Sequence, residues 1–267
     1  MRYVYPVVSR RAGGVSIGIN LNPNNACNWH CAYCQVPNLV RGSSPEIDLI
    51  QLKHELLEML NALIEGDFMQ EKVPEGCRQL CDLAISGNGE PTSCQNFDAI
   101  VASIAKVMQH FDLTGKIPLR LISNGSYVHK AHVQRGLQLI ADLGGEVWMK
   151  VDAATEVAIA RINGVHATPA LLLKQVQAAA QVCPTWIQTC MMAWDEKPPS
   201  HDEVTAYLHL LRLLQQSATP LQGVLLYGVA RPSLQESSQH VSPLSHAWMQ
   251  TLKDDIEALG FCVKLSL

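Results

Sequence analysis

The chain has 267 residues, 48% of them hydrophobic and 16% charged, which supports a substantial core and excludes a disordered protein. The formal net charge is −4 and the basic residues are scattered, with few basic neighbours around Arg10–Arg11 or Lys130, which argues against a surface built to grip a nucleic-acid backbone. No run of about eighteen apolar residues appears, which excludes a helical membrane span, and the opening six residues are too short and polar for a secretory leader.

Residues 15–21 alternate and predict a strand. The turn-rich loop Asn22-Pro23-Asn24-Asn25-Ala26 leads into Cys27, Cys31 and Cys34, spaced C-x3-C-x2-C. A helix is expected from Pro45 through Leu49, Leu52, Leu56, Met59, Leu60 and Leu63, spaced mostly at three and four, with Gly66 just past its end. A buried strand over 79–86 breaks at Gly87-Asn88-Gly89-Glu90-Pro91, and a helix follows over 97–110. A strand over 118–123 ends in Asn124-Gly125, and a helix over 131–143 closes on Gly144-Gly145. A strand over 146–151 ends at Asp152, and Asn163-Gly164 reads as the end of a short helix. Helix 169–182, strand 185–192, helix 201–216, strand 221–227, helix 245–259 and a short strand over 261–265 complete the chain.

Strands alternate with helices about six times and no linker divides the chain. A single α/β domain over 1–267, with a parallel sheet and helical crossovers, is expected. Ligands of such sheets gather at the carboxyl ends of the strands. The residues able to carry chemistry fall there: Cys27 after the first strand, Glu90 after the second, Asn124 after the third, Asp152 after the fourth, and Gly228-Val229-Ala230-Arg231-Pro232 after the sixth.

Three thiolates within eight residues can hold three irons of a [4Fe–4S] cube and leave the fourth open to another ligand. The same cysteines also admit a zinc site completed from elsewhere, for which His30, adjacent to Cys31, is a poor donor, or unligated thiols. The odd total of nine cysteines and the tight spacing speak against disulfides and for a reducing cytoplasm. Plainer readings stand beside the functional ones. Glu90 could also be a solvated turn carboxylate, Asn124-Gly125 a simple turn, Asp152 the cap of the next helix and Tyr33 packing. Cys77, Cys81 and Cys94 invite an auxiliary cluster but lack an x2 pair, so buried free thiols compete with that reading. Cys183, Cys190 and Cys262 read as core. Met191, Met192 and Trp194 read as core or as lining for the substrate side.

The ordered set of Cys27-x3-Cys31-x2-Cys34 with Tyr33 before its last cysteine, Asn88-Gly89-Glu90-Pro91, Ser123-Asn124-Gly125 and Lys150-Val151-Asp152-Ala153 resembles the radical S-adenosylmethionine (SAM) superfamily. With Tyr227-Gly228-Val229-Ala230-Arg231-Pro232, the motifs run from about residue 15 to 232. Ser86 to Thr92, Arg161-Ile162-Asn163 and Gln188-Thr189 further resemble small radical SAM proteins of the wyosine-type Fe–S oxidoreductase group. Asn88 departs from the Gly-Gly-Glu-Pro pattern by replacing its first glycine.

The resemblance implies a partial (β/α)6 barrel. In it Cys27, Cys31 and Cys34 ligate a [4Fe–4S] cluster, and SAM chelates the open iron through its amino and carboxylate groups. Glu90 would receive the SAM ammonium, with Asn88 and Gly89 alongside. Tyr33 would lie near the adenine, and Asp152 with Ser123 or Asn124 would contact the ribose or the methionine part. Val229 would offer backbone groups to the adenine. The implied reaction is one-electron cleavage of SAM to a 5′-deoxyadenosyl radical that takes hydrogen from a substrate, with flavodoxin or ferredoxin as electron donor. The substrate stays open between a small molecule or modified nucleoside, a protein partner served by an activase or maturase without an appended substrate domain, and a tRNA base, which the charge disfavours. A non-catalytic zinc or cluster-binding module is the reading outside enzymes.

Overall fold

The structure is a computed structural model that describes residues 1–9 and 13–267, so Arg10 and Arg11 lie outside the described residues. In chain order the strands are β1 (Val4–Ser9), β2 (Gly14–Ile19), β3 (Ala26–Cys27), β4 (Val40–Arg41), β5 (Leu80–Ile85), β6 (Leu119–Ser123) and β7 (Glu146–Lys150), then β8 (Thr185–Met191), β9 (Ala193–Trp194), β10 (Leu221–Gly228), β11 (Val241–Ser242) and β12 (Val263–Ser266). The helices are α1 (Leu49–Ile64), α2 (Phe68–Lys72), α3 (Phe97–His110), α4 (Ala131–Asp142), α5 (Glu156–Asn163), α6 (Pro169–Ala180), α7 (His201–Gln216) and α8 (His246–Ala258).

Eight strands form one sheet in the order β1-β2-β5-β6-β7-β8-β10-β12. All neighbours from β2 to β12 pair in parallel, and β1 joins antiparallel at the edge. The parallel run with helical crossovers is the expected α/β architecture, open rather than closed into a full barrel. The strand β1 was not anticipated. Its Pro6 lowers strand propensity, but an edge strand tolerates proline because one side needs no donor. The buried Glu55 carboxylate on α1 secures the segment by accepting the backbone N–H groups of Arg2, Tyr3 and Val4 at 2.7–3.1 Å.

Period-2 alternation splits the sheet into two faces. Val15, Ile17, Ile19, Leu83, Ile85, Leu119, Leu121 and Val147 are fully buried and pack in one core cluster with helix residues such as Leu52, Leu56, Ile104 and Leu137. Each such side chain contributes about 1.5–3 kcal/mol on burial. The other face is polar: Ser16, Asp82, Arg120, Glu146, Trp148, Lys150, Trp186 and Tyr227 bond to one another along and across its strands. The helix α1 starts four residues later than Pro45 suggested, because the Asp48 side chain caps it by accepting the N–H groups of Ile50 (2.9 Å) and Gln51 (3.0 Å). Cys183 and Cys190 are core, as read, but Cys262 is exposed because β12 begins only at Val263, beyond the turn at Gly260. No helix among the described residues is long and apolar enough to cross a membrane.

Candidate functional site

An asparagine ladder ties the cysteine loop to the end of β5. Asn20 Oδ1 accepts the backbone N–H of Asn22 (2.9 Å) and of Asn88 (3.1 Å). Asn22 Nδ2 donates to the Ala26 carbonyl (2.9 Å), and Asn88 Nδ2 donates to Asn25 Oδ1 (2.7 Å). The asparagine that stands where a glycine was expected thus supplies a tie that glycine lacks. Gly89 beside it admits no side chain, since a β-carbon there would stand 2.1 Å from the Ala26 carbonyl oxygen.

Glu90 follows, 2% exposed, and so is no solvated turn residue. Its Oε1 accepts the N–H of Thr92 (3.0 Å), the Thr92 hydroxyl and the Ser123 hydroxyl (2.7 Å), and its Oε2 accepts the Asn124 N–H (2.6 Å). All of these donors are neutral, and among the described residues no cation pairs with this carboxylate. Burial pushes its pKa up against those hydrogen bonds. Asn124 links this group to the cysteine loop, because its Nδ2 donates to Asn28 Oδ1 (2.9 Å), one residue past Cys27.

The last turn of α5 grips the middle of the cysteine loop. The free carbonyls of Asn163 and Ile162 accept the N–H groups of His30 (2.9 Å) and Ala32 (2.7 Å). Gly164 ends the helix in the left-handed region, with φ +65°, and a β-carbon there would fall 2.7 Å from the His30 carbonyl oxygen. Asn163 Nδ2 reaches Asp152 Oδ2 (2.7 Å) and the Cys31 sulfur (3.5 Å).

Asp152 does not cap α5; Thr155 does, accepting the Ala158 N–H at 3.1 Å. The buried Asp152 carboxylate turns inward and accepts from the Tyr33 hydroxyl (2.5 Å), Asn163 and the Cys190 N–H (2.9 Å). Lys150 Nζ stands 4.0 Å from it, donates to the Tyr227 hydroxyl at 3.2 Å and lies 4.8 Å from the centre of the Tyr33 ring. Tyr33 is therefore more than packing.

The thiols of Cys27, Cys31 and Cys34 are half-buried and unbridged. Burial pushes them up, to about 11 for Cys27 and about 12 for Cys31. Among the described residues, no three His, Cys, Asp or Glu side chains gather closely enough to hold a metal ion. The donor set suits a cluster better than zinc. A [4Fe–4S] cube takes one thiolate per iron, around its corners, whereas zinc needs four donors on one point. Cys94 is buried, with its thiol 2.9 Å from Asn96 Oδ1, and Cys77 and Cys81 are only half-buried near the amino end of β5.

Val229 is half-buried directly after β10. A small pocket beside Asp152 is lined by Arg161, Cys190, Met191, Met192, Glu203 and Tyr207, so the buried methionines serve both core and cavity. Sequence reading gave no role to Asn28, Lys150 or Asn163. Of these Lys150 carried a signal, since it shares the polar alternation of Glu146 and Trp148 on β7.

No family model matches the chain. It is 27% identical over 138 residues to "GTPase Obg" of Brachyspira hyodysenteriae, across 52% of this chain and 17% of that protein. It is 30% identical over 168 residues to a UPF0026 protein of Methanocaldococcus jannaschii, across 60% of this chain and 43% of that protein. A UPF0026 protein of Synechocystis is 25% identical across 82% of this chain and 74% of its own length. The chain thus spans less than half of the first two relatives. Among solved structures, TYW1 with a lysine–pyruvate adduct bound superposes with TM-score 0.58 at 15% identity, over 92% of this chain and 74% of that one. A domain of pyruvate-formate lyase-activating enzyme from Bacteroides vulgatus gives TM-score 0.50 at 12% identity, over 70% of this chain and 99% of that one. These likenesses establish the fold, which the chain shares with both structures.

Proposed function

We propose that the chain is a radical SAM enzyme that reductively cleaves SAM at a [4Fe–4S] cluster held by Cys27, Cys31 and Cys34 and so abstracts hydrogen from a substrate. Glu90 carries this reading. A buried carboxylate with neutral donors only, fastened to the cysteine loop through Asn124 and Asn28, is an electrostatic unit that lacks its cation. The SAM ammonium completes it through a charge-assisted hydrogen bond, with Asn88 and Gly89 shaping the approach. Ser123 and Asn124 hold the carboxylate and face the methionine part.

Asp152 orients Tyr33 toward the adenine and Asn163 toward Cys31, and Val229 closes the adenine side with backbone groups. Lys150, paired with Asp152, lies over the Tyr33 ring and helps to hold it in place. When bound, the cluster supplies the electron that breaks the sulfonium–carbon bond and yields the 5′-deoxyadenosyl radical. A flavodoxin- or ferredoxin-type protein of the cytoplasm would deliver that electron.

The substrate is a small molecule in the first reading. The likeness to an activating-enzyme domain favours a protein partner as the second. A tRNA base is disfavoured by the net charge of −4. Anaerobic reconstitution with iron and sulfide, followed by dithionite and SAM, tests the reading. Roughly four irons per chain and SAM-dependent release of 5′-deoxyadenosine are expected. A fully loaded protein that releases none overturns it, and colourless zinc-loaded protein would instead support a binding module.

A further inference from the structure

The segment over 229–242 turns back from β10 across the cysteine loop. Ser233 and Gln235 on it are buried, 8% and 7% exposed, and both converge on one carbonyl. The Cys34 carbonyl oxygen accepts the Leu234 N–H (3.0 Å), the Ser233 hydroxyl (3.2 Å) and Gln235 Nε2 (3.1 Å). Gln235 Nε2 also donates to the Val36 carbonyl (2.9 Å). A carbonyl has two lone pairs, so three donors over-determine the direction of this one.

The far end of the segment is pinned as well. The strand β11 pairs antiparallel with β9, His240 Nδ1 lies 2.6 Å from Asp195 Oδ1, and the His240 ring stacks on Trp194 with centroids 5.3 Å apart.

The peptide between Cys34 and Gln35 is planar and trans, so fixing its carbonyl fixes its N–H in the opposite direction. Backbone hydrogen bonding from Val36 and Gln35 acts on the Cys34 thiol, and the Gln35 N–H belongs to this peptide. Hydrogen bonds to cluster sulfurs are one of the levers that set the potential of an iron–sulfur cluster, and a donor there favours the reduced, more negative state.

We propose that Ser233 and Gln235 are positioning residues that act through the Cys34–Gln35 peptide, aim backbone N–H groups at the Cys34 sulfur and thereby raise the reduction potential of the cluster. The inference rests on the reading of Cys34 as a cluster ligand. It assigns a role to a connecting segment that contributes no ligand of its own.

The test compares anaerobically reconstituted wild type with Gln235→Ala, Gln235→Glu, Ser233→Ala and Leu234→Ala, by redox titration followed by electron paramagnetic resonance. Gln235→Ala is expected to shift the midpoint to a more negative value. Gln235→Glu, which keeps the length but loses both N–H donors, should follow it. Ser233→Ala should shift less, and Leu234→Ala, which keeps its backbone N–H, should stay with wild type. Electron–nuclear double resonance in H2O and D2O should show a weaker exchangeable-proton coupling in Gln235→Ala, a signature that loss of general stability does not produce.

Unchanged or more positive midpoints in Gln235→Ala and Ser233→Ala, each with full iron, overturn the proposal. If Gln235→Ala takes up no cluster, Ser233→Ala decides by the same criterion. Wild-type protein that takes up no cluster overturns the functional reading itself, and the inference with it.

Discussion

Buried carboxylates occupy two levels of this sheet and are satisfied in different ways. In the middle of the polar face, Arg120 on β6 bridges Asp82 on β5 and Glu146 on β7, the latter at 2.7 Å. Glu146 also takes the indole N–H groups of Trp148 (3.0 Å) and Trp186 (2.9 Å), and Ser16 donates to Asp82. The two carboxylates there share one cation, Arg120, within the sheet. At the carboxyl ends of the strands, Glu90 has four neutral donors and, among the described residues, no cation. The first arrangement reads as architecture, the second as a place prepared for a cationic ligand, because burying an unpaired carboxylate is costly unless something repays it. Burial without a cation does not by itself mark a functional carboxylate, since Glu55 has both and its hydrogen bonds outweigh burial and hold its pKa down. Glu90 differs because burial outweighs its hydrogen bonds and because it is tied to the cysteine loop.

The comparison can be broken from either level. The largest effect should come from the cysteines: Cys27→Ser, Cys31→Ser or Cys34→Ser is expected to reduce reconstituted iron from roughly four per chain to near zero and abolish 5′-deoxyadenosine release. Iron analysis and product chromatography check this. A serine variant that keeps full iron would remove that cysteine from the ligand set.

Next comes the middle level. Arg120→Met leaves Asp82 and Glu146 partly buried without their cation, a change that typically costs about 3–5 kcal/mol. For a chain of this size that lowers Tm by roughly 10 °C. The folded fraction should bind SAM as wild type does, because Arg120 touches nothing at the strand ends. Calorimetry and equilibrium dialysis separate the two. Weakened SAM binding in the folded variant would show that the levels are coupled.

The third change sharpens the contrast. Glu90→Gln keeps the shape and removes the charge that the SAM ammonium would meet. A charge-assisted hydrogen bond contributes about 1.5–3 kcal/mol, so SAM binding should weaken roughly 10- to 100-fold. Stability should change far less than for Arg120→Met, because the loss of one acceptor for the Asn124 N–H is offset by relief from burying a charge. If Glu90→Gln bound SAM normally, Glu90 would join Glu146 as architecture.

Much of this was legible in the sequence where the information is local. The three cysteines stand within eight residues, so their nearness is written in the sequence itself. The helix over 97–110 has the bounds expected from its apolar period. The rule that ligands gather at strand ends singles out Glu90, Asn124 and Asp152, and the structure places them after β5, β6 and β7. What was missed depends on partners far away along the chain. Asp152 looks like a cap because it precedes a helix, and only the fold shows Tyr33, 119 positions earlier, donating to it. Ser233 and Gln235 bond to Cys34 across 199 and 201 positions, and no periodicity in their segment announces it. Pro6 hid an edge strand, and Asp48 took the cap that Pro45 suggested elsewhere.

The smallest expected effect lies at the rim, where an ion pair joins the two helices that flank the small pocket. Arg161 Nη2 of α5 meets Glu203 Oε1 of α7 at 2.6 Å, and the Arg161 guanidinium lies 5.5 Å from the centre of the Trp194 ring. Glu203 also completes a capping box with Ser200. Burial acts to raise its pKa, but the Ser200 N–H and the Arg161 guanidinium outweigh burial and hold the carboxyl below its ordinary value. A folded pKa below the unfolded one means that ionised Glu203 stabilises the fold above the unfolded value of about 4.3. That contribution is lost as pH falls through the folded value. Glu203→Gln keeps an acceptor for the Ser200 N–H but loses the pair, and the pair is partly solvated, so the expected loss at pH 7 is about 1 kcal/mol. Urea unfolding of both proteins at pH 7 and again near pH 3 reads it: the difference should shrink toward zero at the lower pH. A difference that persisted there would assign the effect to the cap rather than to the charge, and would leave the grip of α5 on the cysteine loop independent of its partner on α7.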